Sequence, residues 1–77
     1  ANDMLRINAV NALLKLGASA APAEKNLIAC LDDQCGYVQW LAAETLIRIG
    51  SREALSAALM AMRGRWFDAT ITPIYSY

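Results

Sequence analysis

The sequence predicts an all-α fold built from two copies of one helix–helix repeat. Three observations predict it: apolar residues recur at helical spacing, one stretch matches a later one at a shift of 33 residues, and both matched stretches end on a glycine. With Gly17 set over Gly50, Leu5 falls on Val38, Ile7 on Trp40, Ala9 on Ala42 and Val10 on Ala43. Leu13 then falls on Leu46, Leu14 on Ile47 and Leu16 on Ile49, so each of these pairs is apolar in both copies. The pairs between them are mostly polar: Arg6 with Gln39, Asn11 with Glu44, Lys15 with Arg48.

The first helix is expected over residues 3–16. Leu5, Ala9, Leu13 and Leu16 step by three or four and share a face, and Ile7, Val10 and Leu14 form a second stripe beside it. A surface helix needs one stripe; two predict that the helix is covered from two sides. Asp3 can cap its start, Lys15 suits the negative end of its dipole, and Gly17 suits a left-handed residue after its last turn. The second helix is expected over 22–31, with Pro22 in the first turn, where its missing N–H is not needed, and Ala23, Leu27, Ile28 and Leu31 as the apolar face. The third is expected over 37–49, with Asp32 or Asp33 upstream as a cap, Arg48 in the last turn and Gly50 after it. Its stripes are 38, 42, 46, 49 and 40, 43, 47. The fourth is expected over 52–63, with Ser51 as N-cap, Glu53 in the first turn, Ala54, Ala58, Leu59 and Met62 as the apolar face, and Gly64 closing it. The organisation is thus a two-repeat region over residues 1–63 (copies at about 3–31 and 33–63) and a tail over 64–77.

Composition narrows the function classes. Seven Lys and Arg balance seven Asp and Glu, so no general basic footprint for nucleic acid exists. The chain has no His, which removes the commonest general base and metal ligand. With two cysteines and no His, a zinc site of about four ligands has no basis. Cys30 and Cys35 read as free thiols, with a small-loop disulfide as the alternative in an exported chain. No apolar run approaches the roughly 20 residues of a membrane span, no signal peptide opens the chain, and a cytoplasmic location is expected. At 57% hydrophobic residues in 77, the chain is too apolar for a disordered tail and unusually apolar for its size; the second stripes hold that excess.

Leu5-Arg6, Ala9-Val10, Ala12-Leu13 and Leu16-Gly17, led by Asp3, resemble the first-helix signature of HEAT repeats, of the short HEAT-like type first known from phycobilisome lyases. Val38-Gln39, Ala42-Ala43, Thr45-Leu46 and Ile49-Gly50, led by Asp33, resemble it again, and Ala21-Pro22-Ala23 is similar to the start of that family's second helix. The resemblance covers about residues 3–62. It implies an α–α superhelix, an armadillo-like solenoid, with the first helix of each pair outside and the second lining a concave face. It also implies an Asp–Arg ladder between repeats, from which the second copy departs, with Gln39 in the Arg position and Asp33 three residues farther from the apolar start.

Folds of this type mostly bind macromolecules. The chain is therefore expected to be a non-catalytic protein-binding scaffold, a piece of a longer solenoid, with another protein or further repeats of the same chain as partner. The contact residues expected on the concave side are Lys25, Asn26 and Ala29, then Ser56, Ala57, Met60 and Arg63, with Trp66 at the head of the aromatic tail. The alternative readings are part of an enzyme or bilin-lyase subunit of the HEAT-like family, and a self-associating module whose apolar ends meet. The di-iron hydroxylases of this repeat type need His–Glu pairs, and none occur here. No catalytic residue, cofactor or metal is expected. In the tail the helical period is lost, Thr, Ile and Tyr favour extended chain, and Pro73 forbids a central strand. It reads as a cap over the last helix or as an aromatic recognition segment.

Overall fold

The computed structural model describes residues 3–65 of the chain. They form four α-helices: α1 (Asp3–Leu16), α2 (Glu24–Cys30), α3 (Gly36–Ile49) and α4 (Arg52–Arg65), with a 3-10 helix over Gly17–Ala23 between α1 and α2. The fold of the described residues is all-α, with no strand among them.

Gly17 and Gly50 each follow the last residue of a long helix. Gly17 has φ +59° and Gly50 φ +77°, a region that costs an L side chain steric strain and glycine none. A Cβ at Gly17 would meet nothing within 4 Å, so backbone conformation alone selects glycine there. Gly50 donates its N–H to the Leu46 carbonyl at 3.0 Å, which closes α3 with a left-handed cap.

Three expectations about helix ends need correction. Residues 22–31 are not one α-helix. The small-residue run after Gly17 winds as a 3-10 helix containing Pro22, and α2 begins at Glu24. With the chain already helical from residue 17, Pro22 falls five residues inside it. An α-helical interior cannot hold proline there without a clash on the carbonyl four residues back, and the tighter 3-10 winding does not form that bond. Gly64 does not close α4, which runs on to Arg65; glycine permits a left-handed stop but does not impose one. The N-cap position of α3 is Cys35, which makes no side-chain capping bond. Asp33 instead accepts the Cys35 N–H at 2.8 Å and so shapes the turn before the helix. Ser51 caps α4 as expected, its Oγ accepting the Ala54 N–H at 3.0 Å.

α3 is the hub: α1, α2, α4 and the 3-10 helix all pack on it. Val38, Leu41, Ala42, Ala43, Thr45 and Leu46 of α3 are buried, and the core is completed by Val10, Leu27, Leu31, Ala54 and Ala58. Alanines at 42, 43, 54 and 58 carry no long side chain to hold helix axes apart. The one buried polar side chain of the described residues, Thr45, donates its hydroxyl to the Leu41 carbonyl one turn back at 2.7 Å.

The apolar face of α4 is displaced from the expected one. Ala54, Ala57, Ala58, Ala61 and Met62 are the residues buried or packed on the core. At about 100° per residue they span one continuous arc. Leu59 falls outside that arc and is 57% exposed, and Ala57 falls inside it.

Candidate interaction surfaces

The expected contact residues separate by position. On α2, Lys25, Asn26 and Ala29 are exposed, while Leu27 is fully buried and Ile28 packs on the core. On α4, Ser56, Met60 and Arg63 are exposed and lie one turn apart on a single face. Ala57 is half-buried against the core and is removed from the set, because the arc described above includes it. Trp66 lies outside the described residues. α2 and α4 are in contact, so the two exposed faces belong to neighbouring helices. Met60, at 68% exposure, is a large apolar side chain on a face otherwise small, polar or basic.

A polar node joins the two copies at the opposite end of the sequence. The Asp33 carboxylate accepts Arg6 Nε at 2.7 Å and Arg6 Nη2 at 3.0 Å, a two-pronged contact matched to the guanidinium fork. Arg6 also pairs with Asp3 on its own helix, and the Gln39 amide donates to the Asp33 main-chain carbonyl. The bonds from Arg6, aided by that from the Cys35 N–H, hold the Asp33 carboxyl below the usual carboxylate range. The Arg6 guanidinium is raised in turn, first by its hydrogen bond to Asp33. An open recess of about 340 Å³ is lined by Asp3, Arg6, Asp32, Asp33 and Gln34.

Cys30 and Cys35 are both free and half-buried. Burial, and then the Asp33 charge, push the Cys30 thiol up, whereas a reactive thiol needs the reverse. Among the described residues no group of three or more His, Cys, Asp or Glu side chains is placed to hold a metal ion, and no helix is long and apolar enough to cross a membrane.

Two more surfaces carry exposed apolar groups. On α1 these are Met4 (66%), Leu5 (63%) and Leu16 (56%), with exposed Ala9 and Ala12 between Leu5 and Leu16. On α3 they are Tyr37 and Trp40, whose rings stack with centroids 6.3 Å apart, and Ile47. The stacked pair was readable in the sequence as aromatics three apart on a helix. The Ser51 hydroxyl bond to Glu24 Oε1 (2.8 Å) and the Arg48 bond to the Leu14 carbonyl (3.4 Å) had no sequence signal, since both depend on how the copies dock.

Compared with family models, curated proteins and solved structures, the chain matches none.

Proposed function

We propose that the chain is a non-catalytic protein-binding scaffold, a segment of a HEAT-like α–α solenoid that holds its partner on the exposed, concave side of α2 and α4. The observation that carries the reading is the exposure of Met60 beside Ser56 and Arg63, next to a helix presenting Lys25, Asn26 and Ala29. A flexible thioether among small side chains suits an adaptable apolar contact, and the flanking Lys25 and Arg63 favour an acidic rim on the partner. The solenoid part of the reading is supported by the 33-residue self-similarity and by matching left-handed glycines at 17 and 50.

The test is capture of partner proteins by the tagged chain, comparing Met60→Glu and Arg63→Glu with Asn8→Asp, an exposed position on α1. Loss of capture of tenfold or more for the α4 variants, with the α1 variant unaffected, is the expected result. Equal capture by all three would defeat the assignment of this face.

A further inference from the structure

The exposed apolar edges of α1 and of α3–α4 follow a rule that the repeat itself supplies. Several positions equivalent at the 33-residue shift have reversed burial, while the pairs Val10–Ala43 and Leu13–Leu46 lie on the core in both copies. Leu5 is 63% exposed while its equivalent Val38 is fully buried, and exposed Ala9 corresponds to buried Ala42. Leu16 is 56% exposed and its equivalent Ile49 is half-buried. On the other stripe the sign is opposite. Ile7 and Leu14 pack on the core, whereas Trp40 and Ile47, their equivalents, are 46% and 42% exposed. On the second helices, at a shift of 31, one pair is reversed, with Ile28 packed on the core and Leu59 57% exposed, while Leu27 and Ala58 are both buried.

Helical geometry places these stripes on opposite sides of each helix. On α3, at about 100° per residue, Trp40 and Ile47 lie half a turn away from Val38, Ala42 and Ile49. On α1, Leu5, Ala9 and Leu16 lie opposite Ile7 and Leu14 in the same way. Each copy therefore has a front (5, 9, 16 or 38, 42, 49) and a rear (7, 14 or 40, 47, 59). In the folded chain the rear of the first copy and the front of the second are covered, and α1 packs on α3. The bare front of the first copy and the bare rear of the second are the repeat equivalents of those covered surfaces.

We propose that a second copy of this chain stacks on the first head to tail, seating its α1 front (Leu5, Ala9, Leu16) on the α3–α4 rear (Trp40, Ile47, Leu59). The interface continues the one already built between the two copies, in the same register. It is heterologous, so each added chain leaves one front and one rear open. Inside the chain, Arg6 of the first copy reaches Asp33 of the second. At the open rear the equivalent of Arg6 is Gln39, which has no guanidinium to form such a pair. The junction between chains thus lacks the ion pair of the internal one, and association is reversible and concentration-dependent. The stacking is tested at Leu5 on α1 and Ile47 on α3, away from the concave-side residues of α2 and α4, so its failure leaves the partner-binding reading intact.

The experiment is mass measurement by light scattering or sedimentation on the full chain, wild type against Leu5→Glu (front blocked) and Ile47→Glu (rear blocked). Wild type is expected to grow in mass with concentration across the micromolar range, and each variant alone to stay monomeric. An equimolar mixture of the two is expected to give a dimer and nothing larger, because one intact front and one intact rear remain. Helical circular dichroism and melting establish that each variant is folded; if Ile47→Glu is not, Trp40→Ala blocks the same edge. A wild-type chain that stays monomeric overturns the proposal and points to its own residues 66–77, or another protein, as occupant of the edge. Self-association of either variant alone overturns it in favour of a symmetric contact, and so does a mixture that yields no dimer.

Discussion

Three donors converge on the Asp33 carboxylate, two from Arg6 and one from the Cys35 main chain, and each stabilises its charged form. Asp33 therefore has a folded-state value below its unfolded one, and its contribution to stability is complete above the unfolded value of about 4. That contribution is lost as pH falls through the lower folded value. Asp33→Asn is expected to melt below wild type at neutral pH, with the gap closing as the pH is taken down through the acid range. Equal gaps at pH 7 and in strong acid would mean that the charge is not what matters. At Gly50 the positive φ predicts that Gly50→Ala destabilises by about 1–2 kcal/mol. At Gly36, the first residue of α3, no such φ exists and a Cβ meets nothing within 4 Å. Gly36→Ala is expected to stabilise by roughly 0.5–1 kcal/mol. Opposite signs for the two substitutions in chemical denaturation are the check. Residue by residue, the glycine roles were legible because conformation follows from sequence locally. The Asp33 carboxylate was assigned to helix capping because its true partner, Arg6, is 27 residues away and reachable only once α1 has docked.

Among the elements, α1 and α3 were legible almost to the residue, because each combines a long apolar period with a glycine stop. The 3-10 segment was not. A run of Gly, Ala, Ser and Pro carries little periodic signal, and the choice between three and 3.6 residues per turn is made by packing, here around buried Ala20. The apolar face of α4 differs from the expected one, with Leu59 outside it and Ala57 and Ala61 inside it. Leu59 was assigned inward on hydrophobicity, but α3 approaches along the alanines, and Leu59 is left on the flank. Two substitutions test this element-level account. Ser51→Ala removes both the α4 cap and the Glu24 contact and should cost about 1 kcal/mol. Leu27→Ala opens a cavity where α2 meets the core and should cost about 2–5 kcal/mol, whereas Leu59→Ala should change stability by less than about 0.5 kcal/mol. Comparable losses at 27 and 59 would contradict the assigned face.

For the molecule as a whole, the double stripe was the informative sequence feature, but the periodicity could not say which stripe is covered in which copy. Both were expected to be covered in each. In the structure both stripes of each copy reach the core in part, through Val10 and Leu13 in the first and Ala43 and Leu46 in the second, and the exposed remainder is Leu5, Ala9 and Leu16 on α1 and Trp40 and Ile47 on α3. Because α3 touches every other element, the described residues should unfold as one unit. Leu46→Ala, at the centre of α3, is expected to lower the melting temperature without separating it into steps. Distinct transitions for the two copies, seen by circular dichroism and by hydrogen exchange, would show instead that they fold independently.

Three polar ties cross from the first copy to the second: Arg6 to Asp33, Glu24 to Ser51, and the Leu14 carbonyl to Arg48. Apolar surfaces alone resist separation but allow sliding and rocking, since their attraction is not directional. Fixing one body on another requires three points that do not share a line, and these ties engage the first turn of α1, the first turn of α2 and the last turns of α1 and α3. They act as fasteners that fix how α1 and α2 sit against the later helices, while the apolar core supplies the adhesion. Cutting one, as protonation of Asp33 does, would soften the bend between the copies before it dissolved them.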